Sequence, residues 1–387
     1  MNVFGDNTNK GTKQKKMKKV FAAIIFIVSF YNSNCQTVID YCKRADTLIT
    51  SKRYKEIIPL YDSAILLSPL SDSLFYRKGN VELYLRDFTG AIKSFTTAIK
   101  LNPTSYKNWF KRGIAKKSDG NLKEALSDLN RAIEINDTAA RAYYHRGITM
   151  LGLKDTLFAM RDFSKATSIY PDMIDVYITR SRVKEWLKDK VGAIMDYDTI
   201  IMLDPKNSKA YNNRAILERH LGLYDKAIAD CNKALEIDPE KAQAFGNRAS
   251  IKRDLLDYKG AIADYDSVLM SSPTDARTYT LRANAKREIG LNGEAFADYA
   301  KAIEIDSYSE FAFASRGILK MDLDDLEGAV LDFSKAIELN PKSDRNFFNR
   351  GLAKLRLHHN EDACNDFKKA QKLGSPKAAK LIAQNCK

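Results

Sequence analysis

Residues 208–241 read SKAYNNRAILERHLGLYDKAIADCNKALEIDPEK, and a variant of that line returns every 34 residues. The stretch opens on an aromatic, Tyr211, with a small residue, Ala215, four positions later. A short break follows at Gly222–Leu223, then Ala227, then the closing Pro239. Closing prolines recur at Pro69, Pro103, Pro171, Pro205, Pro273 and Pro341, and every gap is 34 residues or a multiple of it. Asp137 and Ser307 stand where two prolines are missing, and a tenth repeat ends near Ser375–Pro376. No insertion breaks the register from residue 38 to residue 377.

Other residues keep the same period. The opening aromatic is Tyr41, Phe75, Trp109, Tyr143, Tyr177, Tyr211, Phe245, Tyr279, Phe313 or Phe347. The small residue four places on is Ala45, Gly79, Gly113, Gly147, Ser181, Ala215, Ala249, Ala283, Gly317 or Gly351. An alanine follows in the second half of nine repeats, from Ala91 to Ala363, with Ile57 in the first. A second aromatic, such as Phe95, Phe163, Tyr265 or Phe333, comes four residues after that alanine, with Leu129 and Cys231 as substitutes. Spacings of three, four and seven place these residues on one face of a helix. Each repeat therefore holds two helices, broken near Asp87, Gly120 or Gly222. Small residues allow close approach, aromatics fill the space beside them, and proline stops the second helix. A single helix pair cannot bury its apolar face, so the repeats must stack.

This framework of small residues, aromatics and closing prolines resembles the tetratricopeptide repeat family over about 340 residues. The resemblance implies an all-α fold, a right-handed α-solenoid of about ten 34-residue helix-turn-helix repeats. Its concave groove would be lined mainly by first helices. The repeats start near residues 38, 72, 106, 140, 174, 208, 242, 276, 310 and 344. The array would span 36–377, with residues 378–387 as a C-terminal capping helix over the open apolar end.

One feature departs from the commonest form of that motif, which has an apolar residue before the small one. Here a base precedes it: Arg44, Lys78, Arg112, Arg146, Arg180, Arg214, Arg248, Arg282, Arg316 and Arg350. Sixteen residues on stands an acid, from Asp128 through Asp366, with Leu60 and Ser94 as the exceptions. A buried guanidinium needs a carboxylate, so the pattern predicts a ladder of Arg–Asp pairs, within or between repeats. Because each base brings its own acid, the row argues against nucleic-acid binding.

The formal net charge is +14, of which residues 1–35 supply +5, from six lysines and Asp6, leaving +9. Residues 20–31, VFAAIIFIVSFY, follow the lysine cluster and are too short for a membrane span. This is the layout of a signal peptide over residues 1–35, with Met17 a candidate true start. The exit is open among cleavage before Gln36, lipidation of Cys35 and an uncleaved anchor. The expected location is the periplasm or cell envelope. Cys231 replaces a core aromatic, and Cys42 lies in the first helix. Cys364 and Cys386 would form a disulfide pinning the cap outside the cytoplasm, or remain two thiols.

No catalytic or phosphate-binding motif occurs, and the four histidines, His145, His220, His358 and His359, form no metal pattern. The chain reads as a non-enzyme without cofactor or metal. First-helix residues around the opening aromatic and near the helix middle should edge the groove. In repeats six to eight these are Lys209, Asn212, Asn213, Arg219, Gln243, Asn247, Arg253, Arg277, Asn284 and Arg287; in repeats two to four they include Tyr76, Phe110 and Tyr144. The family resemblance implies an extended acidic protein or peptide partner there, held by charge-assisted bonds with aromatics anchoring apolar groups. The leading reading is a protein-interaction scaffold; the alternative is a membrane-tethered subunit of an envelope secretion or assembly complex.

Overall fold

The computed structural model describes residues 36–386. The proposed signal peptide, its apolar run and Cys35 lie outside them. Among the described residues there is no strand, and no helix is long and apolar enough to cross a membrane. They fall into two compact bodies that divide at Val183–Lys184.

Every repeat is a helix pair. The first body holds α1 (36–50), α2 (Ile57–Leu67), α3 (Asp72–Tyr84), α4 (Phe88–Leu101), α5 (Tyr106–Ser118), α6 (Leu122–Ile135), α7 (Ala140–Gly152), α8 (Thr156–Ile169) and most of α9 (Ile174–Trp186). The second holds α10 (Lys190–Leu203), α11 (Ser208–His220), α12 (Tyr224–Ile237), α13 (Ala242–Asp254), α14 (Tyr258–Ser271), α15 (Ala276–Glu288) and α16 (Asn292–Ile305). It continues with α17 (Glu310–Asp322), α18 (Leu326–Leu339), α19 (Asp344–Arg356), α20 (Asn360–Lys372) and α21 (Ala378–Asn385). Odd helices from α1 to α19 are first helices; α21 follows the tenth pair. Within each body the paired helices pack together, as α3 does with α4, α7 with α8, α11 with α12 and α19 with α20, and second helices pack on the next first helix, as α4 does on α5 and α14 on α15.

Within a pair, the small residue of the first helix faces the aromatic of the second. A Cβ added at Gly147 would lie 2.6 Å from the Phe163 ring, and one at Gly351 would lie 2.7 Å from Phe367. Phe163 and Phe367 are fully buried. The core passes from repeat to repeat: Ala283, Ala295 and Tyr299 share a cluster with Leu319 of the next repeat.

The turn between paired helices needs a residue in the left-handed region. That residue returns at 34-residue spacing from Lys52 to His358, with φ between 58° and 87°. Glycine fills it only at Gly120, Gly222 and Gly290; elsewhere Lys, Arg, Leu, Asp or His accepts the strain. The residue after it caps the second helix. Asp87, Asp189, Asp257 and Asp325 each accept a bond from the backbone N–H of a glycine three residues on, at 2.9–3.0 Å. A side chain at that glycine would collide with the capping carboxylate. His358 and His359 occupy the turn and cap positions of the tenth pair.

After α20 the chain turns at Gly374 and α21 packs on α20. Ala378 joins Phe347 and Ala370 in the last apolar cluster. Cys364 and Cys386 are joined by a disulfide, with Cα atoms 5.6 Å apart. Cys231 is a buried free thiol, pushed up to about 12 by burial, and Cys42 is free and half-buried.

Candidate partner-binding face

The arginine row is internal wiring. Arg112, Arg146, Arg214, Arg248, Arg282, Arg316 and Arg350 each donate from Nε and Nη2 to the Asp sixteen residues on. The Nε–Oδ2 distances are 2.7–2.9 Å and the Nη2–Oδ1 distances 2.6–2.8 Å. These pairs lie within one repeat, which answers what spacing alone left open. In six of the seven, all but Arg316, the Nη1 reaches sixteen residues back, to Thr96, Asn130, Asp198, Asn232, Asp266 or Ser334 on the preceding second helix. Each guanidinium also lies over the opening aromatic of its repeat, as Arg112 does over Trp109 at 5.0 Å. One side chain thus ties three helices together. In most of these repeats a lysine four residues after the base adds a second cation to the same carboxylate. Lys116, Lys184, Lys252, Lys286, Lys320 and Lys354 approach their Asp at 2.9–3.1 Å.

In repeats six to eight the expected groove residues are largely engaged with the scaffold. Arg219 and Arg253 both reach Asp254, and Arg287 reaches Glu288 and Asp322. Asn212 is buried and accepts from Asn247 at 2.8 Å. Asn213 donates to the Tyr197 hydroxyl, and Asn284 accepts from Tyr299. Lys209, Gln243 and Arg277 remain exposed. Asn212, Asn213, Gln243, Asn247 and Arg277 do share one open cavity of about 650 Å³, with the buried Tyr265 hydroxyl unpartnered at its edge. It is polar and lined by amides and hydroxyls, with Arg277 and Asp275 as its charged residues.

Repeats three and four differ. Helix α5 carries Lys107, Lys111, Arg112, Lys116 and Lys117 and no acid; α7 carries Arg141 and Arg146 and no acid. The ladder uses Arg112, Lys116 and Arg146. Lys107, Lys111, Lys117 and Arg141 form no ion pair among the described residues. A cavity of about 750 Å³ is lined by Lys107, Lys111 and Arg141 beside Tyr76, Tyr106, Phe110 and Tyr170. Behind Phe110, whose ring lies 5.4 Å from it, sits His145, with its Nδ1 3.2 Å from the Lys117 ammonium. Burial and the nearby Lys117, Lys111 and Arg141 push His145 down to about 3, so it is neutral. Burial lowers both Lys111 and Lys117, and Arg141 lowers Lys111 further. The patch is a set of cations without counter-charge, of which Lys111 and Lys117 are partly desolvated. Tyr144 packs against His145 and its hydroxyl meets Thr179, so of the expected aromatics Tyr76 and Phe110 line the cavity. Five cations without one acid in the thirteen residues of α5 are the sequence signal for these bases, which its aromatics alone do not give.

A ladder-wired stack of helix pairs, with first helices bearing variable side chains, defines an α-helical repeat scaffold. Family models described as tetratricopeptide repeat match residues 76–141, 208–241 and 276–308. The chain is a tetratricopeptide repeat protein. Among solved structures, the C-terminal part of a repeat-containing protein of this type from Cytophaga hutchinsonii is 15% identical, with a TM-score of 0.55, over 62% of this chain and 98% of that one. A tetratricopeptide repeat protein from Parabacteroides merdae is 21% identical, with a TM-score of 0.49, over 64% and 98%. Yeast Tom70 is 17% identical, with a TM-score of 0.44, over 90% and 94%. No curated protein matches the chain.

Proposed function

We propose that this protein is a non-catalytic scaffold that holds an extended acidic segment of a protein partner on the first-helix face of repeats three and four. The observation that carries the reading is the set of three cations, Lys107, Lys111 and Arg141, left without a carboxylate in a cavity beside Tyr76, Tyr106, Phe110 and Tyr170, with Lys117 and His145 behind Phe110. Partly desolvated bases regain favourable electrostatics when an acidic chain enters, and the rings supply apolar anchorage. Repeats six to eight offer a more neutral surface, suited to main-chain amides of the same or another segment. The lysine cluster and short apolar run ahead of Gln36 support export to the periplasm or envelope. If that segment stays attached, or Cys35 is lipidated, the protein is a tethered subunit of an envelope assembly; fractionation into soluble and membrane pools separates the two.

The test uses a fluorescein-labelled deca-glutamate peptide and anisotropy at low salt. The Lys111→Glu/Arg141→Glu double variant should weaken binding at least tenfold, while Arg253→Glu/Arg287→Glu should change it little. Equal affinity for wild type and the first variant removes the acidic-segment reading.

A further inference from the structure

Repeat six breaks the pattern that its neighbours define. Where six repeats place a lysine beside the ladder aspartate, this one has Glu218. Glu218 is 5% exposed, and its Oε2 has no hydrogen-bond partner. A buried carboxylate thus stands where an ammonium stands elsewhere, within reach of the Asp230 charge. We propose that Glu218 and Asp230 form a proton-dependent latch that sets how tightly α11 and α12 hold together in response to pH.

The surroundings are specific. Asp230 accepts both bonds from Arg214 at 2.7 Å, and that guanidinium also reaches Asp198 of α10 at 2.6 Å. Arg214 therefore already serves two carboxylates and leaves Glu218 as a third. Lys226 on α12 is the remaining base that acts on Glu218. From α13, Arg248 is held by Asp264 and Asn232, and Ile251 packs beside Cys231. Burial first, then the Asp230 charge, raise the Glu218 carboxyl to about 7. Protonated, the carboxyl is neutral beside Asp230. Ionised, it adds a like charge in a buried place.

A carboxyl whose folded value lies above its unfolded value contributes stability that is complete below about 4.5 and lost as pH rises to about 7. Amide exchange of α11 and α12, measured by mass spectrometry on the whole chain and corrected for intrinsic rates, reads the local opening. In the wild type the opening constant should rise with pH by up to about tenfold per unit between pH 5 and 7, then level off. Glu218→Gln, which keeps the neutral form, and Glu218→Lys, which restores the neighbouring pattern, should both lose this rise. They should match or exceed wild-type protection at pH 8. The same pH dependence in wild type and Glu218→Gln overturns the latch, as does a flat wild-type profile.

Discussion

At the residue scale, the fit between small residues and rings was legible, because the two positions recur sixteen residues apart in every repeat. The structure adds that phenylalanine faces glycine (Gly79, Gly147, Gly317, Gly351), whereas tyrosine packs with alanine (Ala45, Ala249, Ala283). Gly147→Ala would push a methyl into Phe163 and should destabilise by about 1–2 kcal/mol despite the helix propensity of alanine. Gly293→Ala, with nothing within 4 Å, should be neutral or stabilise by about 0.5 kcal/mol. Denaturant melts of both variants check the contrast; equal effects would mean that propensity, not packing, governs these sites. The left-handed turn position was legible only at its three glycines, because tolerated side chains hide it elsewhere. Leu256 is exposed there with φ of 64°. Relief of left-handed strain outweighs glycine's entropy, so Leu256→Gly should stabilise by about 0.5 kcal/mol in the same melts.

At the element scale, the helix pairs were readable from period alone, and nine first helices from α3 to α19 begin at the residue the repeat register names. The arginine ladder was readable as a pairing but not in its connectivity, since a sixteen-residue spacing fits a partner on either side. The groove charges were harder. Arg219 and Arg287 find Asp254 and Asp322 thirty-five residues away, on the next first helix. A reading of one repeat at a time cannot see those neutralisations, and the cations gathered without an acid lie on α5 and α7. The ladder makes a strong prediction for single elements. Asp264→Ala leaves Arg248 and Lys252 without their shared carboxylate and should cost about 3 kcal/mol. Asp264→Asn keeps part of the hydrogen bonding and should cost less. An unchanged melting temperature in Asp264→Ala would mean that solvent screening makes the ladder energetically idle.

At the scale of the whole molecule, a repeat stack has neighbours everywhere except at its ends, so its end must be closed by something that is not a repeat. Here the closing element is α21, eight residues long, too short to be helical alone and with only Ala378 fully buried. It buries little apolar surface of its own, and the Cys364–Cys386 bond adds a covalent restraint. Closing a loop of 22 residues restricts the unfolded chain by about 3 kcal/mol. Reduction, or Cys386→Ala, should release α21 and uncover Phe347 and Ala370 beneath it. The expected outcome is a lower melting temperature and faster amide exchange concentrated in α19 to α21, with little change in α11 to α16, because stability in such stacks is coupled mainly between neighbours. Exchange that rises evenly along the chain would show a stack that unfolds as one unit. Unchanged exchange at α21 after reduction would show that packing alone keeps the end closed.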